Sequence, residues 1–388
     1  MSQMRACASV SLEAIEHNCR RLCTELREGA VLCAVVKADG YGHGAVQSAR
    51  AALAGGASWL AVASAAEAMQ LREAGLCDVR VLVMGALSTD ELSQALAADA
   101  DVCVWHEHDL QSVAAAGGGR VHVKLDSGMG RLGTRDAAEA ARVAAAAAST
   151  PGIELAGAMT HFATADELDD DGFFERQLDA FLRWAAEVKA QHPEVVVHAA
   201  NSAALLRDAG TQLDMVRCGI AVYGLDPFGE DARVRGLEPA LSLSSYVAEV
   251  KLCRAGESVG YGRRFVAERD THIGVLPIGY GDGVRRALSD NDDVLIGGRR
   301  RPLVGTVSMD NVTVDLGDSA SASELRGSEA VLIGRQGQEE ITAEEIAARL
   351  DTINYEVTCG LTARVPRVYG GGRGGRGAGA RAGDATLA

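Results

Sequence analysis

The sequence predicts an α/β protein in which an N-terminal (β/α)8 barrel is followed by a mainly antiparallel β-strand domain. Between residues 31 and 224, eight short, almost continuously apolar runs alternate with Ala-rich amphipathic segments. This alternation is typical of a parallel sheet that is covered by helices. After about residue 232 the apolar runs alternate with polar residues and are interrupted by Gly, Asp and Asn, as in antiparallel strands.

Eight strands are predicted in the first region. They are VLCAVVK (31–37), SWLAVAS (58–64), VRVLVMG (79–85), ADVCVW (100–105), RVHVKLD (120–126), IELAGAMTHF (153–162), VVVHAAN (195–201) and QLDMVRCGIAVYG (212–224). Segments such as FFERQLDAFLRWAAEVKAQ between them predict the covering helices. Closing eight such strands into a barrel accounts for this order, and a doubly wound open sheet is the alternative.

The second region predicts a separate domain. We expect the barrel to span residues 8–232 and the β domain residues 233–370, with residues 1–7 able to pair with the latter. ITAEEIAARL predicts one helix, with Thr342 and Glu345 forming a capping box. The Gly/Arg/Ala-rich residues 371–388 are predicted to be disordered.

The composition favours an enzyme of small molecules. The net charge is −15 and no basic stripe precedes the tail, which argues against nucleic acid as a partner. The N-terminus has no apolar stretch of the length that a signal peptide or membrane anchor needs. Nine cysteines lie mostly in apolar runs without CxxC or zinc-ligand spacing. This predicts reduced thiols in a cytoplasmic protein, and no metal site.

Polar residues collect at the ends of the predicted strands, where a β/α barrel places its functional groups. They are Lys37, Ser64, Lys124 with Asp126, His161, Asn201 with Ser202, and Arg217. A solvated rim would give part of the same pattern.

The first of these residues is in AVVKADGYGHG (34–44). Desolvating an ammonium at the tip of an apolar strand is costly, and a lone lysine there is usually a snorkelling surface residue. Here, however, Gly40, Gly42 and Gly44 let the backbone approach a ligand, and Tyr41 supplies a hydroxyl. A desolvated lysine also has a lowered pKa, as an amine that forms a Schiff base requires. Lys37 is therefore a candidate for imine formation.

AVVKADGYGHG resembles the pyridoxal-phosphate (PLP) attachment segment of alanine racemases. The similarity continues in order through VHVKLDSGMGRLG (121–133), THFATAD (160–166), NSAALL (201–206), VRCGIAVYG (216–224), VGYGRRF (259–265), IGYGDG (278–283), VSMDN (307–311) and INYEV (353–357). It covers about residues 5 to 370 and leaves out only the tail. The resemblance implies a cytoplasmic PLP-dependent homodimer that interconverts L- and D-alanine and supplies D-alanine for peptidoglycan.

The same resemblance implies two catalytic residues. Lys37 would hold the PLP aldehyde as an imine and, once the substrate amine has displaced it, act as a base on one face of Cα. Tyr261 would be the base on the other face, supplied by the partner subunit. Because a free tyrosine has a pKa of about 10, a cation is needed near its phenolate, and Arg131 is the matching residue. Otherwise Arg131 is a loop arginine paired with Asp126.

The family also implies how the cofactor is bound. Arg217 would face the pyridine nitrogen and leave the ring a weaker electron sink. His161 would hold Arg217 in place. A surface ion pair with Asp214 is the other interpretation of Arg217. Residues that would surround the phosphate are Tyr41, Asn201, Ser202, Gly219, Ile220 and Tyr355. Without the resemblance, NSAALL would be interpreted as the start of a helix capped by Asn201.

Arg131, Met309 and Asp310 match the residues that bind the substrate carboxylate, with Met309 from the partner chain. Lys124 is a candidate for carbamylation, which would reverse its charge beside Arg131, and a Lys124–Asp126 contact is the alternative. Residues matching the family's substrate corridor are Asp166, Tyr280, Arg286 and Ile353. The sequence departs from several relatives at Thr306, where they have arginine.

Three other functions remain open at this stage. A serine or broad-specificity racemase would use the same residues. A PLP-binding barrel protein without racemase activity would be a single domain, whereas this chain has a second domain with Tyr261. A decarboxylase with a related barrel is disfavoured by the ordered series of racemase segments.

Overall fold

The computed structural model describes residues 4–169, 171–318 and 320–370, so the predicted disorder of residues 371–388 lies outside the described residues. The described chain forms a closed eight-stranded parallel barrel followed by mainly antiparallel sheets. This confirms the predicted fold class. The doubly wound open sheet is wrong, because the last barrel strand pairs with the first, for example Arg217 with Cys33.

The barrel strands pair in chain order, and each overlaps one of the predicted apolar runs. A first strand, β1 (Cys7–Ser11), precedes them. The barrel consists of β2 (Val31–Val35), β3 (Trp59–Val62), β4 (Arg80–Val83), β5 (Asp101–Val104), β6 (Gly119–Lys124), β7 (Ile153–Met159), β8 (Val196–His198) and β9 (Met215–Cys218). The predicted strand 212–224 is too long, because the chain turns at Gly219 into a 3₁₀ helix, Ile220–Tyr223.

Helices cover the outside of the barrel and bury one apolar face each, as Phe174, Phe181 and Trp184 show in α8. The helices of this region are α1 (Leu12–Cys23), α3 (Ala45–Ala54), α4 (Ala65–Glu73), α5 (Thr89–Ala97), α6 (Glu107–Ala115), α7 (Ala137–Ser149), α8 (Phe173–Gln191) and α9 (Ser202–Arg207). The short segment labelled α2 (Lys37–Tyr41) is a left-handed turn at the rim of the barrel. No helix among the described residues is long and apolar enough to cross a membrane.

The second region supplies the remaining strands and two helices. They are β10 (Leu241–Tyr246), β11 (Glu249–Cys253), β12 (Ser258–Val259), β13 (Phe265–Val266), β14 (Thr271–Leu276), β15 (Asp293–Ile296), β16 (Arg299–Pro302), β17 (Val312–Gly317), β18 (Glu329–Gln336), β19 (Glu339–Ile341), α10 (Ala343–Arg349), α11 (Asn354–Cys359) and β20 (Arg367–Gly370). The largest sheet has the order β16-β15-β18-β10-β1-β20, with β19 on β18. A second sheet has the order β11-β14-β17, and β12 pairs with β13.

The first strand of the chain belongs to this second region. β1 pairs antiparallel with β10 and parallel with β20. Residues 8–11, which we expected to open the barrel domain, therefore lie in the sheet of the β domain. The chain enters the barrel region through α1, which Ser11 caps by accepting a hydrogen bond from Ala14 N.

The predicted capping box of α10 forms only in part. Thr342 Oγ1 accepts a hydrogen bond from Glu345 N (3.1 Å). The Glu345 carboxylate instead accepts hydrogen bonds from Arg300 (2.6 and 2.8 Å) and Arg349 (2.8 Å). Charge-assisted hydrogen bonds to guanidinium groups are stronger than a bond to a neutral backbone amide, so they determine where this side chain lies.

Asn18 joins the two regions. Its side chain is fully buried on α1. Nδ2 donates to Val222 O (3.2 Å), in the turn after β9, and to Glu238 O (2.9 Å), in the segment that leads into the β domain. Oδ1 accepts from Glu238 N (2.8 Å). One amide therefore satisfies three backbone groups on two segments.

We expect Asn18→Ala to lower the free energy of unfolding by about 2–3 kcal/mol, because three backbone groups lose the partner that this buried side chain provides. Urea denaturation of the purified protein measures this change. Arg20→Ala, at an exposed position of the same helix, is the control and should change stability by about 0.5 kcal/mol or less. Equal effects of the two substitutions would contradict the joining role of Asn18.

Candidate active site

A left-handed turn at the carboxyl end of β2 presents Lys37. Ala38, Asp39, Gly40 and Tyr41 all have positive φ, at 52°, 52°, 61° and 53°. The left-handed conformation costs roughly 1–2 kcal/mol for each residue other than glycine. The glycines of AVVKADGYGHG indicated a close turn, but not that three non-glycine residues would share this conformation.

Lys37 lies in an environment that favours its neutral amine. Burial lowers its pKa below the ordinary value, and the Arg131 guanidinium lowers it further. Glu67 and Cys359 act in the opposite direction. Because the free amine and not the ammonium attacks a carbonyl, this environment suits imine formation.

Several hydrogen-bond donors and a glycine lie beside the carboxyl end of β9. The Ser202 hydroxyl accepts a hydrogen bond from Gly219 N (3.0 Å), at the start of the 3₁₀ helix. A Cβ atom on Gly219 would lie 2.2 Å from Tyr41 Oη. Only glycine at position 219 therefore leaves room for the Tyr41 hydroxyl. The Tyr355 ring, from α11, lies 6.1 Å from the Tyr41 ring. The structure thus brings four of the predicted phosphate residues together.

Hydroxyl groups and backbone amides at the last strand of a β/α barrel are the donor set that binds phosphate in this fold. Ile220 lies at the start of the same 3₁₀ helix. Asn201 behaves as the sequence indicated for a helix N-cap, since its Oδ1 accepts a hydrogen bond from Ala204 N (2.9 Å). The residues present therefore fit the phosphate of PLP.

Arg217 is buried inside the barrel and all its nearest partners accept hydrogen bonds. Nη1 donates to His198 Nδ1 (2.7 Å). Nη2 donates to Thr160 O (2.8 Å) and Ala199 O (3.0 Å), and His161 Nδ1 lies farther away, at 3.4 Å. His161 therefore contributes the longest of these contacts, and His198, which the sequence analysis missed, holds the guanidinium more closely.

The alternative for Arg217, a surface ion pair with Asp214, is wrong. Arg217 is 3% exposed, and the Asp214 carboxylate accepts a hydrogen bond from Lys189 Nζ (2.8 Å). Burial lowers the pKa of Arg217 to about 10, which still leaves the guanidinium charged at neutral pH.

A chain of side chains runs from Arg217 across the barrel. His198 Nε2 is 2.7 Å from His122 Nδ1, and His122 Nε2 is 2.9 Å from Asp101 Oδ2. Burial would raise the pKa of Asp101, but its hydrogen bonds from His122 and Arg120 (2.7 Å) outweigh burial and lower that pKa. The Asp101 carboxylate therefore accepts from His122 Nε2, which leaves His122 Nδ1 to accept from His198 Nε2.

This tautomer leaves His198 Nδ1 as an acceptor for Arg217. Burial lowers the pKa of His198 well below its ordinary value, and Arg217 lowers it further. The imidazole is therefore neutral. The two histidines of this chain were visible in RVHVKLD and VVVHAAN as isolated polar residues inside apolar runs.

Lys124 is buried at the end of β6. Burial lowers its pKa, and Arg217 and Arg131 add to this effect. Asp126 does not pair with Lys124 or with Arg131 among the described residues. Its carboxylate accepts hydrogen bonds from Gly128 N (3.1 Å) and Gly130 N (3.0 Å) and from Arg135 Nε (3.3 Å). The expected Lys124–Asp126 contact and Arg131–Asp126 pair are both wrong, because the loop that follows β6 folds around the Asp126 carboxylate.

Tyr261 lies on the β domain and is 73% exposed. Its carbonyl oxygen accepts a hydrogen bond from Thr306 Oγ1 (2.8 Å). Met309 is 51% exposed, and Asp310 forms an ion pair with Arg364 (2.7 Å). A cavity of about 330 Å³ beside Tyr261 is lined by residues of the β domain alone: Gly260, Tyr261, Thr306, Ser308, Asn311 and Thr313.

Two of the four residues predicted to line the substrate corridor lie in one cavity. Asp166 and Ile353 line a cavity of about 260 Å³ together with Tyr355. Tyr280 and Arg286 do not line this cavity. Tyr280 is 42% exposed, at the start of a 3₁₀ helix.

A closed barrel whose rim carries a desolvated lysine, a cradle at the last strand that fits a phosphate (Tyr41, Ser202, Gly219 and Tyr355) and a buried arginine is the arrangement expected of a PLP-dependent barrel enzyme. Comparison with known proteins identifies the family. Residues 10–227 match the family model described as alanine racemase, N-terminal domain, and residues 240–369 match alanine racemase, C-terminal domain. The chain belongs to the alanine racemase family, which confirms the resemblance and the PLP cofactor predicted from the sequence.

Individual relatives match over nearly their full length. The chain is 42% identical to the alanine racemase of Symbiobacterium thermophilum, with 94% of this chain and 97% of the relative covered. The crystal structure of alanine racemase from D-cycloserine-producing Streptomyces lavendulae superposes with a TM-score of 0.89 at 38% identity, covering 96% and 99% of the two chains. That of the Bacillus anthracis enzyme with bound L-Ala-P gives a TM-score of 0.86 at 35% identity, covering 95% of each chain.

We expect Gly219→Ala to weaken PLP binding roughly tenfold, because overpacking costs about 1–3 kcal/mol and 1.4 kcal/mol is a factor of ten. The new Cβ displaces the Tyr41 hydroxyl from the cradle. Titration of the apoprotein with PLP, followed by absorbance, measures the dissociation constant. Gly370→Ala is the control, since a Cβ there meets nothing within 4 Å. An unchanged dissociation constant for Gly219→Ala would rule out this cradle.

Proposed function

We propose that this protein interconverts L- and D-alanine, with Lys37 and Tyr261 as the two acid–base residues. One observation carries the proposal. Desolvated Lys37 lies on its left-handed turn near a phosphate-binding cradle, in a chain that matches both alanine racemase domains.

Binding and orientation come from the barrel rim. The hydroxyls of Tyr41 and Ser202 would donate to the phosphate, the latter oriented by the Gly219 amide that donates to it, and Tyr355 would close the cradle from the β domain. When bound, PLP supplies an aldehyde for amines and an electron-withdrawing ring that stabilises negative charge at Cα. The exposed Arg131 guanidinium, at the mouth of the site, binds the carboxylate of alanine.

Two groups move the proton. Lys37, whose pKa is lowered by burial and by Arg131, takes or returns the Cα proton on one face. Tyr261 does so on the opposite face, since racemisation requires the proton to return on the other side. Arg131 lowers the cost of the phenolate when Tyr261 lies beside it.

Arg217 disfavours side reactions. Its guanidinium keeps its protons because three acceptors, His198, Thr160 O and Ala199 O, hold it as a donor. As such a donor, Arg217 would leave the pyridine nitrogen of bound PLP unprotonated. The cofactor would then supply a weaker electron sink, which would disfavour side reactions such as transamination.

Lys124 is carbamylated in this proposal. Burial and two neighbouring arginines favour its neutral amine, which is the form that adds to carbon dioxide. The N–C bond forms with loss of one proton and leaves a carboxylate. A negative charge at Lys124 then attracts and orients Arg131, whereas the ammonium would repel it.

Each site is shared between two subunits. Tyr261 and Met309 are exposed, and the cavity beside Tyr261 has no barrel residue in its lining among the described residues. In a homodimer these side chains reach the barrel rim of the partner subunit. An exposed tyrosine and methionine are also residue types enriched at interfaces.

The proposed cellular role is the cytoplasmic supply of D-alanine for peptidoglycan. Family membership supports it. All nine cysteines are free thiols, as expected in a reducing compartment.

Incubating the purified holoenzyme with L-alanine should reduce the optical rotation to zero, and L-serine in parallel measures specificity. Tyr261→Phe should retain PLP but lower kcat by about 10²–10⁴-fold, as expected on removing an acid–base group. Thr313→Val, in the lining of the same cavity, is a control that leaves the phenol in place. No loss of rotation with the parent protein would refute the function, and near-parental turnover of Tyr261→Phe would refute the two-base assignment.

Subunit mixing tests whether the sites are shared. Lys37→Ala and Tyr261→Phe should each be nearly inactive, and mixed dimers should regain activity, because one of their two sites carries both intact residues. Exchange of subunits is verified by native mass spectrometry. Absence of recovery after proven exchange would show that both bases come from one chain.

A further inference from the structure

Glu67 connects two segments of the barrel rim. It lies in the first turn of α4, where Ser64 Oγ accepts a hydrogen bond from Glu67 N (3.3 Å). Its carboxylate accepts hydrogen bonds from three backbone amides: Ala38 N (2.6 Å) at Oε1, and Ala63 N (2.7 Å) and Ser64 N (3.2 Å) at Oε2. Ala38 directly follows Lys37, whereas Ala63 and Ser64 follow β3.

We propose that Glu67 is the positioning residue of Lys37: its carboxylate clamps the left-handed turn to the end of β3 and so fixes the direction of the lysine side chain. This inference rests on the proposed role of Lys37.

The turn requires external support. Ala38, Asp39 and Tyr41 adopt left-handed conformations, which cost roughly 1–2 kcal/mol each without a compensating contact. The far end of the turn is fixed by Asp39, whose Oδ1 accepts from Ala45 N (2.9 Å). At the near end, the Ala38 amide donates to Glu67 alone among the hydrogen bonds of the described residues.

A carboxylate is the group that this geometry needs. Its two oxygens accept on opposite sides, one toward Ala38 and the other toward Ala63 and Ser64. A glutamine has one acceptor oxygen, and its NH₂ group would face an amide donor on the other side. Glu67→Gln must therefore release one segment. Glu67→Asp keeps the charge but is one methylene shorter and cannot span both segments.

The charge of Glu67 has a second effect on Lys37. Burial and Arg131 lower the pKa of Lys37, and Arg217 lowers it further. Glu67 and the Cys359 thiolate form raise it. Removing the Glu67 charge therefore lowers the pKa of Lys37, whereas shortening the side chain to aspartate retains a negative charge nearby.

Hydrogen–deuterium exchange on the holoenzyme measures the clamp directly. Peptides covering residues 36–44 should exchange at least about tenfold faster in Glu67→Gln and Glu67→Asp, because the Ala38 amide loses its charged acceptor. Glu73→Gln is the matched control, an exposed glutamate at the end of the same helix, and should exchange as the parent does. Unchanged exchange in both Glu67 variants would overturn the proposal.

Kinetic measurements distinguish a role of Glu67 in positioning Lys37 from a purely structural role of Glu67. Both Glu67 variants should lower kcat about tenfold, because a misdirected Lys37 amine raises the barrier of the proton-transfer step by about 1.4 kcal/mol. KM should change little. The acidic limb of the kcat–pH profile should move to lower pH in Glu67→Gln and stay in place in Glu67→Asp and Glu73→Gln. If Glu67→Gln does not fold, Glu67→Asp alone decides through exchange and kcat. A Glu67→Gln holoenzyme with parental kcat and an unmoved limb would refute the positioning role.

Different results would disprove the catalytic role of Lys37 and the Glu67 clamp. If Lys37→Ala still racemises alanine, the proposed role of Lys37 is wrong, although faster exchange in the Glu67 variants would still establish the clamp.

Discussion

The site depends on the burial of one positive charge, the Arg217 guanidinium, inside a parallel barrel. A cation without water needs acceptors on every side. Here His198 and two strand-end carbonyls supply them, and His122 and Asp101 fix the tautomer of His198. The hydrogen-bond chain thus crosses several barrel strands before it ends at a carboxylate that is itself paired with arginine. The guanidinium is held as a donor because the barrel interior contains these acceptors.

The rim around this charge is strongly cationic. Lys37, Lys124, Arg131 and Arg217 lie close enough to lower one another's pKa or that of His161. Such a rim attracts a phosphate and a carboxylate, and together with burial it lowers the pKa of the two lysines, which favours their reactive free-amine forms. Two negative groups have proposed roles in this rim. The Glu67 carboxylate would hold the turn that follows Lys37, and a carbamate on Lys124 would hold the Arg131 guanidinium.

The two domains serve different parts of the chemistry. The barrel offers rigid strand ends for the lysine and the cradle, whereas Tyr261 lies on an exposed turn of the β domain, tied down by Thr306. Asn18 and β1 link the domains within one chain. In the proposed homodimer, the exposed Tyr261 of one subunit completes the site of the other.

The sequence by itself determined the eight barrel strands, the antiparallel second domain and the family, because apolar periodicity and short motifs are local properties of the chain. It also indicated Lys37, the cradle and the N-cap at Asn201, which follow strand ends directly. Tertiary structure alone decided what is non-local: that β1 joins the second sheet, and that His198 rather than His161 holds Arg217 most closely. It also decided that Glu67, from the next β/α unit, reaches the amide after Lys37. These contacts join residues far apart in sequence, and no local pattern encodes which acceptor a buried donor will meet.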